Sequence, residues 1–141
     1  MQCANLLCSL TALALLAAVA SDAHAQPKDV KFTNTWKGSV EDANLQKGAP
    51  EVITSAKGLE KLWKDWNIAD KMPKIDFAKE IVVLGTTSGS LLNLSARLDD
   101  KGNLQVLGMA TLDLRPGFRY VIATVPSEGV KTVNKKNLPK D

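Results

Sequence analysis

Cys3, Cys8 and His24 are the only cysteines and the only histidine in the chain, and all three fall within its first 25 residues. Their fate decides which chemistries remain. An apolar run from Leu6 to Ala20 is followed by Ala23-His24-Ala25. A run of about 15 residues fits a secretory h-region and falls short of the ~20 a spanning helix needs. Small residues two apart match the A-x-A cleavage pattern. The sequence therefore predicts an export signal over 1–25, cut after Ala25, and a single domain over 26–141. The product would be periplasmic or secreted and would keep no stable membrane span. Met1 to Asn5 lacks the Lys or Arg usual at the start of a signal. Cys8 precedes the apolar run and follows Leu7, so it is misplaced for a lipoprotein cysteine.

With the signal removed, no disulfide, no Cys or His zinc site, no thiolate nucleophile and no imidazole base is available. Carboxylate, Ser-Lys and oxygen-ligand metal chemistry remain. Asp99-Asp100 with Asn103 has calcium-type donors but lacks the Gly and Glu spacing of an EF-hand loop, and reads as a polar hairpin tip. Glu41 and Asp42 are adjacent, so they do not form an opposed catalytic pair. Ser127 and Lys131 miss the S-x-x-K spacing. Gly85 and Gly89 follow a strand but open no helix, so they make no phosphate cradle. Asn93-Leu94-Ser95 matches a glycosylation sequon inside an expected strand. The sequence thus predicts no catalytic residue, no metal and no cofactor.

Charge narrows the partners. The whole chain carries +3; removing Asp22 from the 15 acidic residues leaves 14 against 18 basic ones, a net charge of +4. That is too balanced for a dedicated nucleic-acid binder. Arg97, Arg115 and Arg119 stand at polar positions of neighbouring expected strands and are the candidate partner-binding residues, since the guanidinium fork pairs with carboxylates.

The elements that must position these residues follow from periodicity. Leu59, Leu62, Trp63 and Trp66 recur at i, i+3, i+4 and i+7, with charged residues between them, predicting an amphipathic helix from near Ser55 to Asn67 or Ile68. At that spacing both tryptophans are core residues. Val30, Phe32 and Trp36 form one expected first strand, and 41–50 reads as a loop. Glu80 to Thr87 is a continuous apolar strand, hence central. Leu91 to Leu98 alternates, turns at 99–103 and returns over Leu104 to Leu114, with Gly108 a candidate bulge. Phe118 to Val125 is the last long strand. Val130 to Val133 is an edge strand, and the Lys-rich end a solvated tail. Strands clustered after one helix predict an α+β fold, with the helix packed on a mostly antiparallel twisted sheet.

The order of a Thr54-Ser55 cap, the Leu59 to Trp66 helix, the Pro73 to Glu80 connector, Ile81 to Gly85 and the Leu91 to Leu107 hairpin resembles the PrcB C-terminal-like domain family. The closing strand, Tyr120 to Pro126, is also similar, and the resemblance spans about residues 51–130. Where the family has a Gly-Gly-aromatic step into its hairpin, this chain has Ser88-Gly89-Ser90-Leu91-Leu92. The resemblance implies an exported, non-enzymatic module that binds or stabilises another exported protein, a protease being one candidate. Two other functions fit the residues: a small hydrolase using two carboxylates, which needs them converging in a pocket, and a small-ligand carrier, which needs a cavity of roughly 300 Å³ between helix and sheet.

Overall fold

A computed structural model describes residues 25–140. The expected signal, apart from Ala25, lies outside the described residues, as do Cys3, Cys8 and His24. The chain runs β1 (Lys28–Val30), β2 (Asn34–Val40), a 3-10 segment (Ala43–Gly48), β3 (Val52–Ile53), α1 (Ala56–Asp65), β4 (Glu80–Thr87), β5 (Leu92–Leu98), β6 (Asn103–Ala110), β7 (Phe118–Pro126), β8 (Thr132–Val133) and β9 (Lys136–Asn137). The strands make two sheets, ordered β2-β7-β4-β3 and β1-β5-β6-β8-β9. Every pairing is antiparallel except β6 with β8. The α+β class stands. The single expected sheet is two.

Three layers explain the apolar strands. Val82 and Leu84 of β4 and Phe118, Tyr120 and Ile122 of β7 pack with Leu59, Leu62, Trp63 and Trp66 of the helix. Ile81 and Val83 of β4 and Ala123 and Val125 of β7 pack with Ala96, Leu104 and Val133 of the second sheet. A strand covered on both faces cannot alternate apolar with polar, so β4 reads as an unbroken apolar run. Each fully buried Leu or Val contributes about 1.5–3 kcal/mol by leaving water.

The helix starts where Ser55 Oγ accepts the Gly58 N–H at 3.1 Å. It stops at Trp66, and Asn67 turns into the left-handed region at φ 48°. Both tryptophans sit in the core: the Trp63 indole N–H donates to the Asp70 carbonyl at 2.8 Å, and Trp66 meets Phe118 edge-on with ring centroids 5.1 Å apart.

Several local expectations need correction. The first strand is two, β1 and β2, which join different sheets. Within 41–50 lies the 3-10 segment, capped by Asp42, whose Oδ1 accepts the Asn44 N–H at 2.9 Å. Gly108 pairs directly with Leu94 in an unbroken register, so no bulge forms there. The return strand ends at Ala110, not Leu114. Lys136 and Asn137 stay exposed yet pair with β8. The 99–103 hairpin tip matches its sequence: Asp99 Oδ1 accepts the N–H groups of Lys101 and Asn103, at 3.0 and 2.8 Å, and Gly102 takes φ 86°. Among the described residues, no helix is long and apolar enough to cross a membrane.

Candidate functional site

β6 is half covered. Asn103 and Leu104 pair with β8, and no described strand continues beyond them. Register shows which main-chain groups this leaves open. Asp99 N–H donates to the Asn103 carbonyl and Thr111 N–H to the Leu91 carbonyl, so the odd-numbered residues from 103 to 111 bond to β5. The even-numbered ones point the other way. Asn134 serves the first of them: its N–H donates to the Leu104 carbonyl at 2.9 Å, and its Oδ1 accepts the Val106 N–H at 2.9 Å. Past that cap, the N–H and C=O groups of Gly108 and Ala110 face no described strand.

The same strand exposes apolar side chains. Leu107 and Met109 turn outward, opposite Ser95 and Asn93 of β5, and Met109 is 73% exposed. Leu91 is exposed beside them, and beyond β6 Leu112 and Leu114 are 100% and 87% exposed. Isolated exposed leucines are ordinary; here Leu91, Leu107 and Met109 share one face of the β5–β6 pair, and Leu112 and Leu114 follow on the adjoining loop. No Asp, Glu, Lys or Arg lies between Gln105 and Leu112. Edge strands ordinarily carry such charges to prevent pairing with other chains.

The 111–117 loop is fastened in place. Asp113 Oδ1 accepts the Ser90 N–H and hydroxyl, both at 3.0 Å, and its Oδ2 accepts the Arg115 Nε–H at 3.0 Å. The Thr111 hydroxyl, then the Ser90 amide and Arg115, hold the Asp113 carboxyl far below the usual carboxylate range. Arg115 N–H donates to the Ser88 carbonyl at 2.9 Å. Leu112 and Leu114 are therefore presented from a tied loop.

Of the three candidate arginines, the structure brings two together. Arg115 bonds to Ser88, and Arg119 pairs with the adjacent Thr87 and donates from Nη1 to the Pro116 carbonyl at 2.9 Å. Both flank the loop. Arg97 lies on β5, in the sheet that Arg119 does not join, opposite Gln105 of β6, where it pairs with Asp29 at 2.9 Å. The exposed apolar residues are hidden in the sequence because Leu107, Met109, Leu112 and Leu114 lie within one expected strand, where alternation masks exposure.

The remaining candidates have structural employment. Asn93 Oδ1 accepts from Lys37 Nζ at 3.3 Å. Ser127 N–H donates to the Lys79 carbonyl at 2.8 Å. Gly85 packs under Leu94 within β4. No group of three Asp, Glu, His or Cys side chains among the described residues is placed to hold a metal.

A concave feature lies beside the helix. A cleft of about 510 Å³ opens between α1, β3 and the 3-10 segment, with Leu45, Val52, Ile53, Leu62 and Trp66 in its lining.

Compared with protein-family models, curated proteins and solved structures, the chain matches none.

Proposed function

We propose that the chain, like the PrcB C-terminal-like domains it resembles, is an exported, non-enzymatic module, and that it binds another exported protein through the open edge of β6. The observation that carries this reading is the uncharged edge at Gly108 and Ala110, which faces no described strand, beside the exposed Leu107, Met109, Leu112 and Leu114. A partner strand adding to this edge would satisfy the open main-chain groups and cover the side chains together. Acyl chains offer no hydrogen-bond partners, so the edge favours a polypeptide over a lipid surface. On this reading α1 is an amphipathic helix closing the far face of the β7-β4 sheet, and Arg115 and Arg119 form the polar rim of the docking surface.

Gly108→Pro tests the proposal directly. It removes an N–H that points away from β5 and leaves the β5 pairing intact. A Cβ there meets only ordinary contacts, at 3.5 Å from Leu92 and 3.6 Å from Leu94. Co-purification at native expression level should yield one stoichiometric partner. Gly108→Pro and Met109→Lys should each weaken recovery by about tenfold or more, while Lys57→Glu, exposed on α1 in the opposite layer, should not. A partner retained equally by all three variants would place the interface elsewhere.

A further inference from the structure

We propose that the cleft between α1, β3 and the 3-10 segment is a binding site for a neutral, mainly apolar small molecule, such as a short acyl chain or a fused-ring compound. Its volume, about 510 Å³, falls within the range of small-molecule sites. Its deeper lining is core material: Ile53 is 4% exposed, and Leu62 and Trp66 are each 5% exposed. Leu45, Pro50 and Val52 add half-buried apolar sides.

Four of the polar side chains around it already have partners in the fold. Ser55 Oγ accepts the Gly58 N–H at 3.1 Å, and the Thr54 hydroxyl donates to the Pro139 carbonyl at 3.2 Å. Lys61 and Asp65 pair with each other at 2.5 Å. An anionic ligand would have to compete with Asp65 for Lys61, and a cationic one with Lys61 for Asp65. An uncharged ligand disturbs neither and matches the apolar lining of Leu45, Val52, Ile53, Leu62 and Trp66.

The flanking segments are anchored by bonds to other parts of the fold. Gln46 of the 3-10 segment donates to Thr86 Oγ1 at 3.3 Å and accepts from the Ser88 hydroxyl at 3.2 Å. On the other side, Pro139 is tied through Thr54, and Lys136 through Glu51. A preformed cleft loses little freedom when it is filled. The 3-10 segment buries none of its own residues. Gly48 lines the cleft, and a Cβ there would meet nothing within 4 Å.

The probe is N-phenyl-1-naphthylamine, a neutral apolar fluorophore, titrated into the natural product with energy transfer from tryptophan as the readout. Saturable binding of one molecule per chain is expected, with Kd at or below about 10 µM. Gly48→Phe, which adds a ring at an open wall, and Leu45→Lys, which adds a charge, should each raise Kd about tenfold or more. Met109→Lys should leave it unchanged. No saturation by about 100 µM, or equal affinity in both cleft variants, overturns the proposal. So does loss of binding in Met109→Lys, which would place the probe on the β6 patch. The site stands independently of the docking edge, since the two are tested by different variants.

Discussion

A methyl group on Gly89 would stand 2.2 Å from the carbonyl oxygen of Thr111. That closeness lets the 88–90 turn pass under the loop that carries Leu112 and Leu114. The same crossing brings Ser90 within 3.0 Å of Asp113. Gly89→Ala must push the two segments apart, because the obstruction is main chain and cannot rotate away. The expected cost is that of overpacking, about 1–3 kcal/mol, measured by urea unfolding. Hydrogen exchange should quicken first at Thr111, whose N–H bonds to the Leu91 carbonyl at 3.1 Å. An unchanged unfolding midpoint would mean that the crossing is looser than described.

Asp113 makes the loop sensitive to acid. Its carboxyl is held far below the ordinary value by the Thr111 hydroxyl, the Ser90 amide and Arg115. A carboxyl depressed on folding adds stability that is complete above its unfolded value and is lost as pH falls through its folded one. The loop should therefore stay fastened from neutral pH down to about pH 4, the unfolded range of an Asp, and loosen only in stronger acid. Asp113→Asn keeps the shape but removes the charge on which Arg115 is held. Amide exchange at Ser90 and Arg115 should rise in that variant at pH 7, with the core amides of β7 unaffected. Equal protection in both proteins would show that the charge is unimportant to the loop.

Much of the frame was legible because it rests on short-range rules. The i, i+3, i+4, i+7 spacing placed Leu59, Leu62, Trp63 and Trp66 on one buried stripe. The unbroken run from Ile81 to Leu84 announced a strand covered on both faces. Asp99 to Asn103 carried turn chemistry that needed no tertiary context. The split between Val30 and Trp36 was not legible, since it depends on β1 pairing with β5 and β2 with β7, partners some 66 and 86 positions away in the register of Val30 with Ala96 and Trp36 with Ile122. The candidate site was hidden for a related reason. Leu104 to Leu114 reads as one apolar strand, and only the third dimension shows that β8 covers Leu104 and stops. Arg97 and Arg119 looked like neighbours by alternation alone, yet alternation does not say which sheet a strand joins.

Phe118 tests the layer order. It is fully buried at 0% exposure, and its ring meets Trp66 edge-on at 5.1 Å between centroids. Phe118→Ala leaves a cavity between α1 and the β7-β4 sheet, so the loss should be about 3–5 kcal/mol. Leu112→Ala deletes a side chain that is 100% exposed. It should change stability by no more than about 0.5 kcal/mol. Denaturant titration of the two variants side by side decides the matter. A comparable loss in both would contradict the burial assigned to one of them.

Glu51 ties down the carboxyl-terminal segment that carries Pro139. It accepts from Lys136 Nζ and, at 3.4 Å, from Asn134 Nδ2, joining the approach to β3 to the β8–β9 turn. The Lys136 bond lowers its pKa from 4.5, with Asn134 assisting against the opposing effect of burial. The lowered value makes this contribution complete above pH 4.5 and lost as the pH falls through the folded value. Both side chains are largely exposed, so solvent screening limits the pair to at most about 1 kcal/mol. Glu51→Gln should therefore barely shift the global unfolding transition at pH 7. Its effect should appear in exchange at Lys135, whose N–H donates to Asn103 Oδ1 at 2.8 Å, and at Asn134, whose N–H donates to Leu104. Lowering the pH of the unsubstituted chain from 6 to about 3 should reproduce that pattern, while the Gln variant should respond less. If both proteins respond equally to acid, the tether does not depend on Glu51, and the bonds made by Asn103, Asn134 and Pro139 hold the segment without it.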